Sequence, residues 1–246
     1  MKLRKFINKI FAGSFAMVLT ISFAKNNAHA ASNNKLDLMY YGLKKINAET
    51  YNLKDMKKSR FDKLEKDLEE ALNVGCDNVN NDSDFYLLNN LNFSAKELDY
   101  GLADTGLAGL GKDFKAVADK YGINPLLLMA MAKHETGNGT SELFREKNNL
   151  FGFNAIDHDP YNMATKFKRP KDSIDTVAKH LKEEYLDKNG TYFNGVSVEG
   201  IGSSYASDPD WSKKVNSMMM EIADKMIETN KAGDWPAFFS CNSIMY

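Results

Sequence analysis

The chain has 246 residues, 43% of them hydrophobic and 26% charged, with a formal net charge of −1. That suits one globular domain with additional segments and excludes low-complexity and fibrous classes. Five cations and no acid fall in the first 30 residues, so the remaining body is mildly acidic. An acidic body argues against general nucleic-acid binding.

The amino terminus reads as an export signal. Lys2, Arg4, Lys5 and Lys9 precede an apolar run over residues 10–24, and Ala28-His29-Ala30 offers a small-residue cleavage site. The run is short for a membrane span, although Phe6 and Ile7 lengthen it, so cleavage and retention as an anchor both stay open. Either outcome places the body outside the cytoplasm. Residues 1–30 are assigned to this signal, 31–84 to a helical arm and 85–246 to a catalytic body.

Helical spacing runs over residues 34–71, first through Leu36, Met39, Tyr40, Leu43 and Ile46. From 51 to 72 it reads as a second, highly charged helix with Phe61, Leu64, Leu68 and Leu72 on one side. Both stripes are expected to be packing faces. Residues 73–84 are polar and form a loop that separates arm from body. Cys76 and Cys241 are the only cysteines. In an exported chain they could form one disulfide or stand as two unrelated thiols. Neither they nor the four histidines have metal-ligand spacing.

Ser94 and Glu97 form a capping-box pattern for a short helix. A glycine-containing loop over 104–111 leads to a helix carrying Phe114, Val117, Ala118 and Tyr121. Asn124 then caps an apolar helix that begins at Pro125 and ends at Glu135, where Gly137 terminates it. A carboxylate at a helix C-terminus opposes the helix dipole. Burial against so apolar a helix is expected to strip its hydration and raise its pKa toward neutrality. An acid that keeps its proton near pH 7 can protonate a leaving oxygen. The glycines behind Glu135 are expected to leave room for a substrate.

Residues 140–147 form another short helix. Residues 151–167 lack helical periodicity and carry aromatics with Asp157, His158 and Asp159 before Pro160, which reads as a hairpin or extended lobe. Residues 172–186 form an amphipathic helix with Ile174, Val177, Leu181 and Tyr185 on one side. The last helix, 210–227, carries Trp211, Val215, Met218, Ile222 and Met226. The methionines read as core, and Trp211 is a further candidate for the sugar groove whose place on the stripe favours core.

Three blocks occur in order: His134-Glu135-Thr136-Gly137-Asn138-Gly139-Thr140-Ser141, Asn148-Asn149-Leu150-Phe151-Gly152-Phe153, and Tyr205-Ala206-Ser207-Asp208-Pro209-Asp210-Trp211. Together they resemble the bacterial endo-β-N-acetylglucosaminidases of glycoside hydrolase family 73, including the glucosaminidase domains of staphylococcal autolysins. The resemblance covers roughly residues 98–226. The composition is similar to that of the small stand-alone staphylococcal members.

The resemblance implies a mainly α (α+β) architecture: a lysozyme-like helical domain with a small β lobe across a cleft, here preceded by the helical arm. It implies that Glu135 is the general acid of a peptidoglycan hydrolase that cuts the β-1,4 bond after N-acetylglucosamine, with no metal or organic cofactor. Asp157 or Asp159, on the lobe, could activate water in an inverting reaction, whose two carboxyl groups stand about 6.5–9.5 Å apart. Both could equally serve the turn before Pro160. The substrate's own N-acetyl group could instead assist. Tyr205 matches the family's tyrosine, with Ser207 in place of the usual Thr, and is expected either to hydrogen-bond that acetamido group or to hold Glu135. Asn138, Asn149, Phe151, Gly152 and Tyr161 are expected to line the sugar groove. The rival readings are a lytic transglycosylase, a non-catalytic wall-binding module, and a scaffold that binds a membrane-protein partner through the amino-terminal segment.

Overall fold

In the computed structural model, residues 33–155 and 159–232 are described. No strand occurs among them, and none of their helices is long and apolar enough to cross a membrane. The export signal therefore lies outside the described residues, as do Cys241 and Asp157.

Helix α1 (Asn33–Val74) is continuous where the sequence suggested two helices. The chain nevertheless divides into two compact units within it, Met1–Met56 and Lys57–Tyr246. In the first unit Met39, Ile46, Tyr51, Leu53 and Met56 are exposed. In the second, Phe61, Leu64, Leu68 and Ala71 are buried in the core, whereas Leu72 is exposed. Residues 57–84, read from the sequence as part of the arm, thus join the body through this apolar stripe.

Gly75, at φ 86°, ends α1 by donating its N–H to the Ala71 carbonyl at 2.8 Å. A short 3-10 turn (Cys76–Asn78) follows. Cys76 is a buried free thiol, pushed up to about 12 by burial and by neighbouring Asp77. The Asp77 carboxylate accepts the backbone N–H groups of Val198 (2.7 Å) and Glu199 (3.1 Å). These are orphan donors at the start of a later helix, so a carboxylate there both satisfies them and complements the dipole.

Helix α2 (Ala95–Tyr100) starts with the expected capping box between Ser94 and Glu97. Arg60 of α1 adds a 2.9 Å ion pair to the same carboxylate. Burial alone would raise the Glu97 carboxyl, but the Ser94 hydrogen bonds and the Arg60 charge outweigh it and hold the group below the usual carboxylate range. Helix α3 (Gly111–Tyr121) buries Phe114, Val117 and Ala118, and Gly122 ends it at φ 62°.

Helix α4 (Pro125–Glu135) starts as the sequence predicts, with the Asn124 side chain accepting the Leu126 N–H at 2.9 Å and Pro125 in the first turn. Asn124 is itself buried because its amide donates to the Asp84 and Tyr86 carbonyls. Every residue from Pro125 to Lys133 is buried. The helix is apolar all round because it is the centre of the body, surrounded by α3 and the long final helix α9 (Trp211–Lys231). On α9, Met219 is fully buried and Met218 only partly, one position from the expected stripe.

Between these lie α5 (Glu142–Lys147), α6 (Pro160–Met163), α7 (Pro170–His180) and α8 (Val198–Tyr205). Helix α7 continues into one π-helical turn (Leu181–Tyr185).

The mainly helical class expected of a lysozyme-like domain is what the described residues form. The segment 151–167, expected to supply a β lobe, folds without a ladder among them. Buried Asn149 explains this. Its amide donates to the carbonyls of Phe153 and Thr165, each at 3.0 Å, and its Oδ1 accepts the N–H of Phe153 at 2.9 Å and of Phe151 at 3.4 Å. One side chain thereby supplies most of the partners a hairpin ladder would supply, beside a single bond from the Thr165 N–H to the Phe153 carbonyl at 3.0 Å. Asn149→Ala is expected to cost about 1–3 kcal/mol, because it strands the Phe151 N–H and removes the partners of the half-buried Phe153 N–H and Thr165 carbonyl. Urea unfolding at neutral pH measures it, and a loss below about 0.5 kcal/mol would show that this side chain does not hold the segment.

Candidate active site

The C-terminus of α4, the C-terminus of α8 and the N-terminus of α9 converge on one carboxylate. Glu135 is the last residue of α4 and is half-buried. Its Oε1 accepts the indole N–H of Trp211, the first residue of α9, at 3.0 Å. Trp211 is 2% exposed. The Tyr205 ring, from the last residue of α8, lies 5.0 Å from the Trp211 ring at 36°. Burial and then the negative charge of Glu135 push the Tyr205 hydroxyl up, so it stays protonated and available as a donor.

A tight turn brings both aromatics to Glu135. Asp208 caps that turn by accepting the Asp210 N–H at 2.9 Å, and its carbonyl accepts the Trp211 N–H at 3.1 Å. Lys214, bonded to Asp208 at 2.5 Å, together with the Asp210 N–H holds that carboxyl below its usual range. Gly202 eases the meeting of α8 and α9, since a Cβ there would stand 3.0 Å from the Trp211 ring and 2.2 Å from Ser212 Oγ, which would have to turn away.

The family model described as mannosyl-glycoprotein endo-beta-N-acetylglucosaminidase matches residues 111–224, a stretch that contains Glu135, Tyr205 and Trp211. Over residues 111–224 the chain is similar to the glucosaminidase family. A Streptococcus pneumoniae protein provisionally named endo-beta-N-acetylglucosaminidase is 36% identical over 140 residues, covering 55% of this chain and 21% of its own. The bifunctional autolysin of Staphylococcus aureus is 28% identical over 179 residues, covering 60% of this chain and 14% of its own. The chain thus spans about a fifth or less of the length of these relatives. The crystal structure of S. aureus autolysin E aligns at 24% identity and TM-score 0.46, over 61% of this chain and 75% of that one.

Within the matched stretch, several residues expected at the site do other work. The loop behind Glu135 has left-handed Gly137, Asn138 and Gly139 in succession. Gly139 abuts Gly106, and a Cβ on either would stand 2.6 Å or less from the other's backbone. Gly106 and Gly139 let two loops close on each other. Asn138 lines a hollow of about 370 Å³ with Thr105, buried Lys133 and Glu221, a lining that does not include Glu135.

Asn149 has its amide and carbonyl committed to the backbone bonds described above, so it offers no free group to a sugar. Phe151 is 6% exposed and belongs to the core. Gly152 serves a turn at φ 62°. Asp159 caps α6, accepting the backbone and side-chain N–H groups of Asn162, which is the turn role its place before Pro160 allows. Tyr161 is half-buried; its hydroxyl donates to Glu146 and the Lys147 ammonium lies 4.5 Å over its ring. Those partners belong to α5.

Glu135 is not enclosed by the apolar face of its own helix, as the sequence suggested. That face is spent on the core, and the carboxyl emerges beside Trp211. Trp211, read as core, is both core and partner of Glu135. No local pattern separates the two roles, because the indole N–H reaches its acceptor across 76 residues of sequence.

Proposed function

We propose that this domain hydrolyses the β-1,4 bond following N-acetylglucosamine in peptidoglycan glycan strands, with Glu135 as general acid. The observation that carries the reading is Glu135 fixed by Trp211 beside a protonated Tyr205 hydroxyl. The family description and the relatives' names support the glycosidase class.

Glu135 donates its proton to the glycosidic oxygen as the bond to the anomeric carbon breaks. The positive charge left on that carbon needs a partner. Asp159 spends both carboxylate oxygens on Asn162, which favours assistance by the substrate's own acetamido oxygen, closing a transient five-membered ring. Tyr205 donates or accepts a hydrogen bond that orients the acetamido group. Water then adds to the anomeric carbon, Glu135 takes the water's proton, and the acetamido group reopens. Asp157 as a base for water is the second reading, and retention against inversion at the anomeric carbon separates the two.

The basic and apolar amino terminus and the autolysin relatives support work outside the cytoplasmic membrane. Mass spectrometry of purified glycan strands digested by the enzyme tests the reaction. Fragments with N-acetylglucosamine at a borohydride-reducible end are expected. Anhydro-muramyl ends would identify a lytic transglycosylase, and the absence of any product would identify a binding module.

Trp211→Phe tests the fixing of Glu135. It removes the N–H and keeps an aromatic ring against Tyr205, and is expected to lower kcat about tenfold to a hundredfold with KM little changed. An unchanged kcat in a folded variant would show that Glu135 needs no such partner.

A further inference from the structure

The rings beside Glu135 do not stop at Tyr205. Tyr205 meets Tyr185 edge-on at 5.9 Å, and Tyr185 meets Tyr192 at 5.1 Å and 31°. His180 packs its ring against both, at 5.6 and 6.4 Å. The row begins at buried Trp211, passes through Tyr185 at 6% exposure and surfaces at Tyr192, which is 42% exposed. Spacings of this size lie in the range of favourable aromatic pairs.

Three separate features hold Tyr192 in that place. The π-helical turn at Leu181–Tyr185 shifts the register of α7, and such turns recur at functional sites. Gly190 lets the following loop press onto this turn, since a Cβ there would stand 2.5 Å from the Glu184 carbonyl. The loop is then tied down by the Tyr192 N–H to the Glu184 carbonyl at 2.9 Å and the Thr191 N–H to the Glu184 carboxylate at 3.2 Å. An exposed tyrosine gains nothing for the core from so much local constraint. A fixed ring with an open side suits a ligand that stacks.

We infer that Tyr192, backed by Tyr185 and His180, is an outer sugar-stacking subsite, taking a pyranose of the glycan chain three ring contacts from Trp211. The inference rests on the proposed glycosidase site for its ligand class. The C–H face of a hexopyranose is apolar and flat enough to cover an aromatic ring, while its hydroxyls stay in water. A subsite this far from Glu135 touches only longer chains. It therefore sets chain-length preference and leaves the chemical step alone.

The test uses the full chain and β-1,4-linked oligomers of N-acetylglucosamine, one long and one short, as probes. Binding is measured by calorimetry in a Glu135→Gln background, and cleavage in the otherwise unaltered chain. Tyr192→Ala is expected to weaken binding of the long oligomer roughly fivefold to tenfold and to raise its KM equally, with the short oligomer unchanged and the melting temperature lowered by no more than about 2–4 °C. Tyr192→Phe is expected to behave as the parent. Equal binding of the long oligomer by parent and Tyr192→Ala would overturn the subsite, as would failure of either oligomer to bind. Tyr192-dependent binding without cleavage by the parent would uphold the subsite and sink the hydrolase reading.

Discussion

Glu135→Gln is expected to lower glycan cleavage by about 10³–10⁴-fold with the fold unchanged. The substitution keeps size and shape, and the glutamine carbonyl can still accept the Trp211 indole N–H. What it removes is the proton. A leaving alkoxide without an acid is a poor leaving group, so the loss falls on kcat and KM should hardly move. The side chain is half-buried and at the end of α4, where a carboxylate opposes the helix dipole, so neutralising it should leave stability within about 0.5 kcal/mol. Single-turnover cleavage of purified strands, together with a melting curve, measures both. A folded Glu135→Gln protein that cleaves at the parent's rate would remove Glu135 from the chemistry.

Tyr205→Phe is expected to cost about 10²-fold in kcat. The phenylalanine ring keeps the contacts to Trp211 and Tyr185, so packing is retained and only the hydroxyl is lost. If that hydroxyl orients the acetamido group, its contribution grows as the acetamido oxygen approaches the anomeric carbon, and its removal is felt in the transition state. A substrate analogue whose N-acetyl group is replaced by a free amine sharpens the experiment. It should react slowly with the parent, and Tyr205→Phe should cost it little more. A full further loss with the analogue would mean that Tyr205 acts on Glu135, and an unchanged kcat on the natural strand would mean that the hydroxyl does neither.

The local signals in the sequence were read correctly where the physics is local. Asn124 and Pro125 start α4, and Ser94 and Glu97 cap α2, because each of these choices is settled by backbone groups within a few residues. The motif around Glu135 was likewise visible as a break after an apolar run. The roles of Asn149, Phe151 and Asp159 were not visible, since the same side chains serve equally well as sugar ligands and as partners for nearby backbone. Which role an asparagine takes depends on whether the chain folds back within reach, and Thr165 and Phe153 do. The end of the arm was misplaced for a similar reason. Phe61, Leu64 and Leu68 have a helical stripe, but only the presence of the body behind them makes that stripe core.

By itself, the sequence determined most of the helices, their caps and the place of Glu135 at the end of an apolar run, because periodicity and capping act over one or two turns. Only the tertiary structure decided which aromatics stand beside that carboxylate. Trp211 and Tyr205 reach Glu135 through a turn between two helices, and the row from Tyr205 through Tyr185 to Tyr192 crosses two further segments. Contacts between distant parts of a chain leave no spacing to read, since their closeness comes from how the core packs.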